Sequence, residues 1–216
     1  MDTNYKEQVT QLREQLATML PSEVLNQFDN EAAQMQATFH DILKLKAGEK
    51  APDFTLPNAT GKMVTLSGIL RQRVAVLVFY RGAWCPYCNL QLFILQKEWE
   101  TFTSKGAAIV AVSLQNPDAT LSLSEKQNLK FDVLSDANGT VTRRFTHVFK
   151  MSDASVQTLS SLGYDFDSFY SDDSKELPVP AVFVIDKDGT ILFAKSQGGD
   201  YRNRVEAKEI RDSIPV

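Results

Sequence analysis

Val74-Ala75-Val76-Leu77-Val78-Phe79-Tyr80 runs directly into Arg81-Gly82-Ala83-Trp84-Cys85-Pro86-Tyr87-Cys88, and this second segment holds both cysteines of the 216-residue chain. Seven apolar residues rich in β-branched and aromatic side chains read as a fully buried strand, and the residues after Cys88 return to helical spacing. The thiols therefore sit at a strand-to-helix junction. A helix start offers unpaired backbone N–H groups and the positive end of the helix dipole, both of which favour a thiolate over a thiol. A cysteine so placed is a usable nucleophile near neutral pH.

Three other readings compete with redox chemistry. A structural disulfide closing so short a loop is worth only about 2 kcal/mol in the chain-entropy model. A zinc site needs about two more soft or imidazole ligands, yet His40 and His147 stand alone without metal-ligand spacing. The third reading is a pair of inert buried thiols. The two-residue spacing at a strand-helix turn favours redox work. In such a turn the first sulfur faces outward and the second is tucked against the helix, which nominates Cys85 as attacking thiol and Cys88 as resolving thiol. Attack on a peroxide gives a sulfenic acid that Cys88 captures as a disulfide. Attack on a disulfide gives a mixed disulfide that Cys88 releases.

The net charge of -4 opposes binding to nucleic acid, and no Lys/Arg run suggests an anionic membrane surface. The start Met1-Asp2-Thr3-Asn4-Tyr5-Lys6 lacks the apolar core of a signal peptide, and no apolar run is long enough to span a bilayer. A cytoplasmic enzyme with a resting dithiol is expected. No Gly-rich phosphate loop precedes a helix, so a nucleotide cofactor is not indicated.

Residues 1–46 read as a helical arm. Val9, Leu12, Leu16 and Met19 recur at helical steps, Leu20-Pro21-Ser22 breaks the pattern, and Leu25, Phe28, Ala32, Met35, Phe39 and Ile42 resume it, with Ser22 placed as cap and Gly48 beyond the end. The arm either folds back over its own domain or pairs with a second copy in a homodimer. Residues 47–216 alternate strands and helices, the mark of an α/β layered domain. Asp53–Leu56 and Lys62–Leu66 form a hairpin, the cysteine helix ends near Gly106, Ala107–Val112 is the next strand, Ser122–Leu129 a helix and Phe131–Leu134 a short strand. Ala181–Asp186 and Thr190–Ala194 flank an Asp-Gly turn before a last helix over Arg204–Ser213. The Ser- and Asp-rich stretch Met151–Lys175 interrupts this plan and reads as an insertion or a lid, or more plainly as a solvated loop.

Three segments, Gly48-Glu49-Lys50-Ala51-Pro52-Asp53-Phe54-Thr55-Leu56, the cysteine segment, and Val182-Phe183-Val184-Ile185-Asp186-Lys187-Asp188-Gly189, together resemble the alkyl hydroperoxide reductase/thiol-specific antioxidant family, in its peroxiredoxin-like branch. The resemblance implies a thioredoxin-like fold, a central mixed sheet flanked by helices, here with an N-terminal helical extension. It also implies peroxide reduction at the expense of a thioredoxin- or glutathione-type thiol. The family's Pro, Thr and peroxidatic Cys fall on Arg81, Cys85 and Cys88, a register that reverses the sulfur roles. Its peroxide-orienting Arg falls on Pro180. Pro180, after Val179, instead resembles the proline that thioredoxins hold in the cis form opposite their cysteines, where the Val179 backbone would face substrate. Trp84 and the Cys-Pro-Tyr-Cys dipeptide are thioredoxin- and glutaredoxin-like. Arg81 is either a surface residue or the cation that lowers a sulfur pKa or orients peroxide. Trp84 and Tyr87 either shape the substrate surface or pack. Asp53 fixes a loop, and Arg143 and Arg144 are solvated. A thiol peroxidase is the leading reading, with a disulfide reductase or a non-enzymatic redox sensor as the rivals.

Overall fold

A computed structural model describes residues 4–40 and 42–215. The assignments of the first three residues, of position 41 and of the last residue lie outside that range. Continuous apolar runs make β3 (Val74–Phe79), β4 (Ala107–Ser113) and β8 (Ala181–Ile185) the buried middle of a five-stranded sheet completed by β5 (Asp132–Ser135) and β9 (Ile191–Lys195). The order is β5-β4-β3-β8-β9, with β3, β4 and β5 parallel and β8 and β9 antiparallel to their neighbours. Side chains alternate across β3. Val74, Val76 and Val78 enter the core layer that contains both cysteines, whereas Ala75, Leu77 and Phe79 enter the opposite layer with Phe54, Phe145 and Phe183. Burial on both faces is what requires the unbroken apolar run.

The cysteine helix is bent: α4 (Pro86–Lys97) gives way at Glu98 to α5 (Trp99–Ser104), which leads into β4. The hairpin pairs β1 (Thr55–Pro57) with β2 (Met63–Thr65), followed by α3 (Leu66–Leu70). Asp53 fixes that loop, its carboxylate accepting from the N–H groups of Phe54 and Ser67 at 2.9 Å each. Helix α6 (Pro117–Gln127) begins five residues earlier than its periodicity suggests, because the Asn116 side chain caps it by accepting from Ala119 N–H. The last helix, α9 (Ala207–Asp212), is shorter than expected, and its place at Arg204 is taken by loop.

Met151–Lys175 is not a solvated loop. It holds α8 (Asp153–Ser161) and a 3-10 turn at Asp167–Phe169, and it buries Met151, Val156, Leu159 and Phe166. A second hairpin of β6 (Val148–Lys150) and β7 (Glu176–Pro178) closes the segment, and α7 (Thr142–Phe145) precedes it.

The arm consists of α1 (Tyr5–Met19) and α2 (Ser22–Thr38), both folded back on the same chain. Ser22 is the first helical residue rather than the cap; Pro21 occupies the cap without a side-chain bond. Ile42 falls beyond the helix, in the segment where Leu43 bridges to Thr146. Docking uses the segment between β9 and α9. Tyr5 and Lys6 donate their N–H groups to the Glu206 carboxylate at 2.9 and 3.0 Å, Asp29 pairs with Arg202, and Asp200 N–H donates to Gln36 at 2.8 Å. Gly199 lies so close under α2 that a Cβ there would stand 2.1 Å from the Met35 carbonyl oxygen.

Gly199→Ala therefore forces α2 away from the body. We expect a loss of about 1–3 kcal/mol in urea unfolding, typical of overpacking, and faster proteolysis within residues 20–40. An unchanged midpoint and digestion pattern would show that the close approach is not needed.

Candidate active site: a buried dithiol between two arginines

Strand β3 ends at Phe79 and delivers Tyr80 and Arg81 into a tight turn that places Cys85 at the N-cap of α4, Pro86 in its first position and Cys88 two residues further on. Proline suits that place because its missing N–H has no intrahelical partner there. Three bonds hold the turn: Ala83 N–H donates to Gln115 Oε1 at 2.7 Å, Asn89 donates to the Ala83 carbonyl at 2.8 Å, and Cys85 N–H donates to the Gly82 carbonyl at 3.1 Å. Gly82 allows the Trp84 indole to fold over the turn, since a Cβ would meet Trp84 Nε1 at 2.6 Å. That indole donates to Tyr170 Oη at 2.9 Å and packs on Phe166, so the segment read as a loop buttresses the cysteines.

Both thiols are free and both are buried, Cys85 at 1% exposure and Cys88 at 0%. The outward-facing first sulfur is thus not exposed. It instead borders a partly open cavity of about 320 Å³, lined by Leu16, Leu20, Leu25 and Phe28 of the arm together with Arg81 and Cys85. Tyr87 and Trp84 also line it.

Arg81, expected either on the surface or beside the sulfurs, is at 1% exposure and lies beside them. Its guanidinium carbon stacks 3.7 Å from the Tyr201 ring centre and 5.0 Å from that of Trp84, and Nη2 stands 4.0 Å from Glu31 Oε2 of the arm. Among the described residues its Nε and Nη2 have no hydrogen-bond partner. A second guanidinium, which sequence reasoning missed, comes from Arg204 in the loop before α9. It is 4% exposed, its Nη1 donates to the Tyr201 and Asn203 carbonyls, and its Nη2 donates to Cys88 Sγ at 3.1 Å. The only sequence signal was a pair of apolar residues, Tyr201 and Val205, in an otherwise polar stretch.

The two sulfurs share a hydrogen bond and divide their ionisation unequally. Burial raises both. At Cys88 this is outweighed by the bond from the Cys85 thiol, by the charges of Arg204 and Arg81 and by the Arg81 N–H, which hold it well below the ordinary thiol value. At Cys85, burial, the bond to Cys88 and the charge on Cys88 push the thiol well above it. The arginine charges thus favour ionisation at Cys88, the sulfur that Arg204 touches, whereas the sulfur bordering the cavity is Cys85.

Val179 and Pro180 correct a sequence expectation. The described residues contain no cis peptide bond, so Pro180 is trans. The Val179 backbone is fully occupied, its N–H donating to the His147 carbonyl at 2.8 Å and its carbonyl accepting from Thr146 Oγ1 at 2.9 Å. Neither residue borders the cavity. The β6–β7 hairpin has taken the edge that a substrate backbone would have used. No described group of three or more His, Cys, Asp or Glu is arranged to hold a metal ion, and no described helix is long and apolar enough to cross a membrane.

A five-stranded mixed sheet with a Cys-x-x-Cys pair at the start of the helix after its central strand defines a thioredoxin-fold dithiol protein. Residues 47–194 match the profile of the AhpC/TSA family, and the chain belongs to that family. Over 101 residues, 47% of this chain, it is 37% identical to a bcp protein of Buchnera aphidicola and 35% identical to peroxiredoxin Bcp of Escherichia coli K12. It spans only 63% and 64% of those two proteins. The crystal structure of peroxidoxin BcpB from Mycobacterium tuberculosis superposes with a TM-score of 0.62 at 24% identity, covering 79% of this chain and 96% of that one. The mitochondrial 2-Cys peroxiredoxin of Plasmodium falciparum gives 0.54 at 19% identity, covering 78% and 91%. These two likenesses establish the fold.

Tyr170→Phe removes the acceptor of the Trp84 indole and the donor to the Arg81 carbonyl. We expect a stability loss of about 1–3 kcal/mol in urea, the cost of stranding a buried donor, with a shift in Trp emission. No change in either would place the indole N–H in water.

Proposed function

We propose that this chain is a thiol peroxidase that reduces hydroperoxides by cycling Cys85 and Cys88 between dithiol and disulfide, with a thioredoxin- or glutathione-type thiol restoring the dithiol. The observation that carries this reading is the arginine-held sulfur pair whose Cys85, with Arg81 beside it, borders a mainly apolar cavity beneath the arm. A hydroperoxide places its oxygens against Arg81 and its carbon body against Leu16, Leu25 and Phe28. A protein disulfide does not reach a sulfur roofed by the arm, and the occupied Val179 backbone offers it no edge to pair with. The fit favours an organic hydroperoxide over hydrogen peroxide. The names of the curated relatives support the same chemistry.

The steps balance as follows. Cys85 gives its proton to the Cys88 thiolate and its sulfur attacks the distal peroxide oxygen. The O–O bond breaks, and the departing alkoxide takes the proton from Cys88, leaving a sulfenic acid on Cys85 and a thiolate on Cys88. The Cys88 sulfur then attacks Cys85, forming the disulfide and expelling hydroxide, which leaves as water after taking a proton from solvent. Residues 1–46 act in this scheme as a helical arm that closes the site and 47–216 as the redox domain. The resting dithiol fits a cytoplasmic setting.

Stopped-flow Trp fluorescence with cumene hydroperoxide, hydrogen peroxide and a model disulfide tests the proposal. We expect the organic hydroperoxide to react at least about tenfold faster than hydrogen peroxide, the size of discrimination that apolar contacts supply, and the disulfide to react slowly. Rapid reaction with the disulfide alone would replace the peroxidase with a reductase. Cys85→Ser should abolish turnover, and Cys88→Ser should trap the oxidised adduct on residue 85. A mass-mapped adduct on Cys88 in the Cys85→Ser chain, formed at wild-type speed, would reverse the two roles.

A further inference from the structure

The two buried guanidiniums are not equivalent. Arg81 has a carboxylate, Glu31, at 4.0 Å, whereas among the described residues no carboxylate pairs with Arg204, whose side chain reaches only two carbonyl oxygens and the Cys88 sulfur. Burying an uncompensated charge costs several kcal/mol, so a nearly enclosed cation needs an anion beside it. The groups facing Cys88 are Cys85 at the start of α4, Arg81 after β3, Arg204 before α9, and the neutral phenols of Tyr80, Tyr170 and Tyr5. Only the sulfur pair can supply that anion.

We propose that Arg204 is a catalytic residue, which holds a negative sulfur at Cys88 in the reduced protein through direct contact of Nη2 with Sγ. Its fork is fixed before any substrate arrives: Nη1 is tied to the backbone of its own loop, so the charge is aimed at the sulfur without reorganisation. Pro180 supplies no cation at the place where the family resemblance expects one, and Arg204 reaches the pair from a different segment of the chain. The consequence rests on the peroxidase reading. Cys88 is ionised when the sulfenic acid forms on Cys85, so disulfide closure does not wait for a deprotonation.

The test reads ionisation without any substrate. In a reduced Cys85→Ser chain only Cys88 remains, and thiolate absorbance at 240 nm is followed against pH. With Arg204 in place the midpoint should lie below the ordinary thiol value of about 8.5. Adding Arg204→Gln should raise it by about one pH unit or more, a tenfold change in the thiolate-to-thiol ratio, and Arg204→Lys should raise it by less. In the two-cysteine chain, Arg204→Gln should slow disulfide closure about tenfold at pH 7, with recovery at alkaline pH. Circular dichroism checks that each variant is folded. An unmoved midpoint in folded Arg204→Gln overturns the proposal. Should that variant fail to fold, Arg204→Lys decides: a purely structural arginine leaves the midpoint where it was, a contact to the sulfur does not. A shifted midpoint in a chain inert toward every hydroperoxide would sink the peroxidase reading alone.

Discussion

The site is organised by a charge that has to be somewhere. Arg81 and Arg204 are both enclosed, at 1% and 4% exposure, against one carboxylate at 4.0 Å and two sulfurs. Glu31 faces Arg81, which leaves Arg204 without a carboxylate among the described residues, and a thiolate at Cys88 resolves that imbalance while the Cys85 proton bridges the pair. The cations stabilise the anion and the anion permits the cations. Strand β3, the Gly82 turn and the loop before α9 position the three parties, and the sheet exists around them as the rigid frame.

The arm belongs to the same arrangement. Glu31 of α2 faces Arg81, and Tyr5 and Asp29 grip the segment 200–206 whose Arg204 holds Cys88. Arm residues wall the cavity at Cys85. Access to the sulfur and the polar contacts that dock the arm therefore depend on one stretch of chain. Under the proposed peroxidase reading, a small hydroperoxide enters beneath the arm, whereas a protein reductant requires the arm to lift.

Elements buried on both faces were legible in the amino-acid sequence, because burial there leaves no room for polar residues. Val74–Phe79, Ala107–Ser113 and Ala181–Ile185 could be little else. The first hairpin, the cysteine helix and the two arm helices followed from turn residues and periodicity. Elements that owe their stability to tertiary contact were not legible. Helix α8 is rich in Ser, Thr and Asp, and only the packing of its segment around Trp84, through Phe166 and Tyr170, separates it from a loop. The candidate site was half visible. Cys85, Cys88, Arg81, Trp84 and Tyr87 converge, whereas Val179 and Pro180 do not, because a hairpin that periodicity could not reveal consumes the Val179 backbone. Arg204 was hidden for a different reason: a lone arginine in a polar stretch carries no local sign of the partner it meets 116 residues away.

The central claim, one negative charge held on the inner sulfur while the outer one keeps its proton, is tested most directly by the Cβ chemical shifts of the two cysteines, followed against pH by NMR in the reduced protein. The account predicts that at neutral pH Cys88 already shows a thiolate shift while Cys85 still shows a thiol. Two thiol shifts at pH 7 that titrate together in the ordinary range would contradict it.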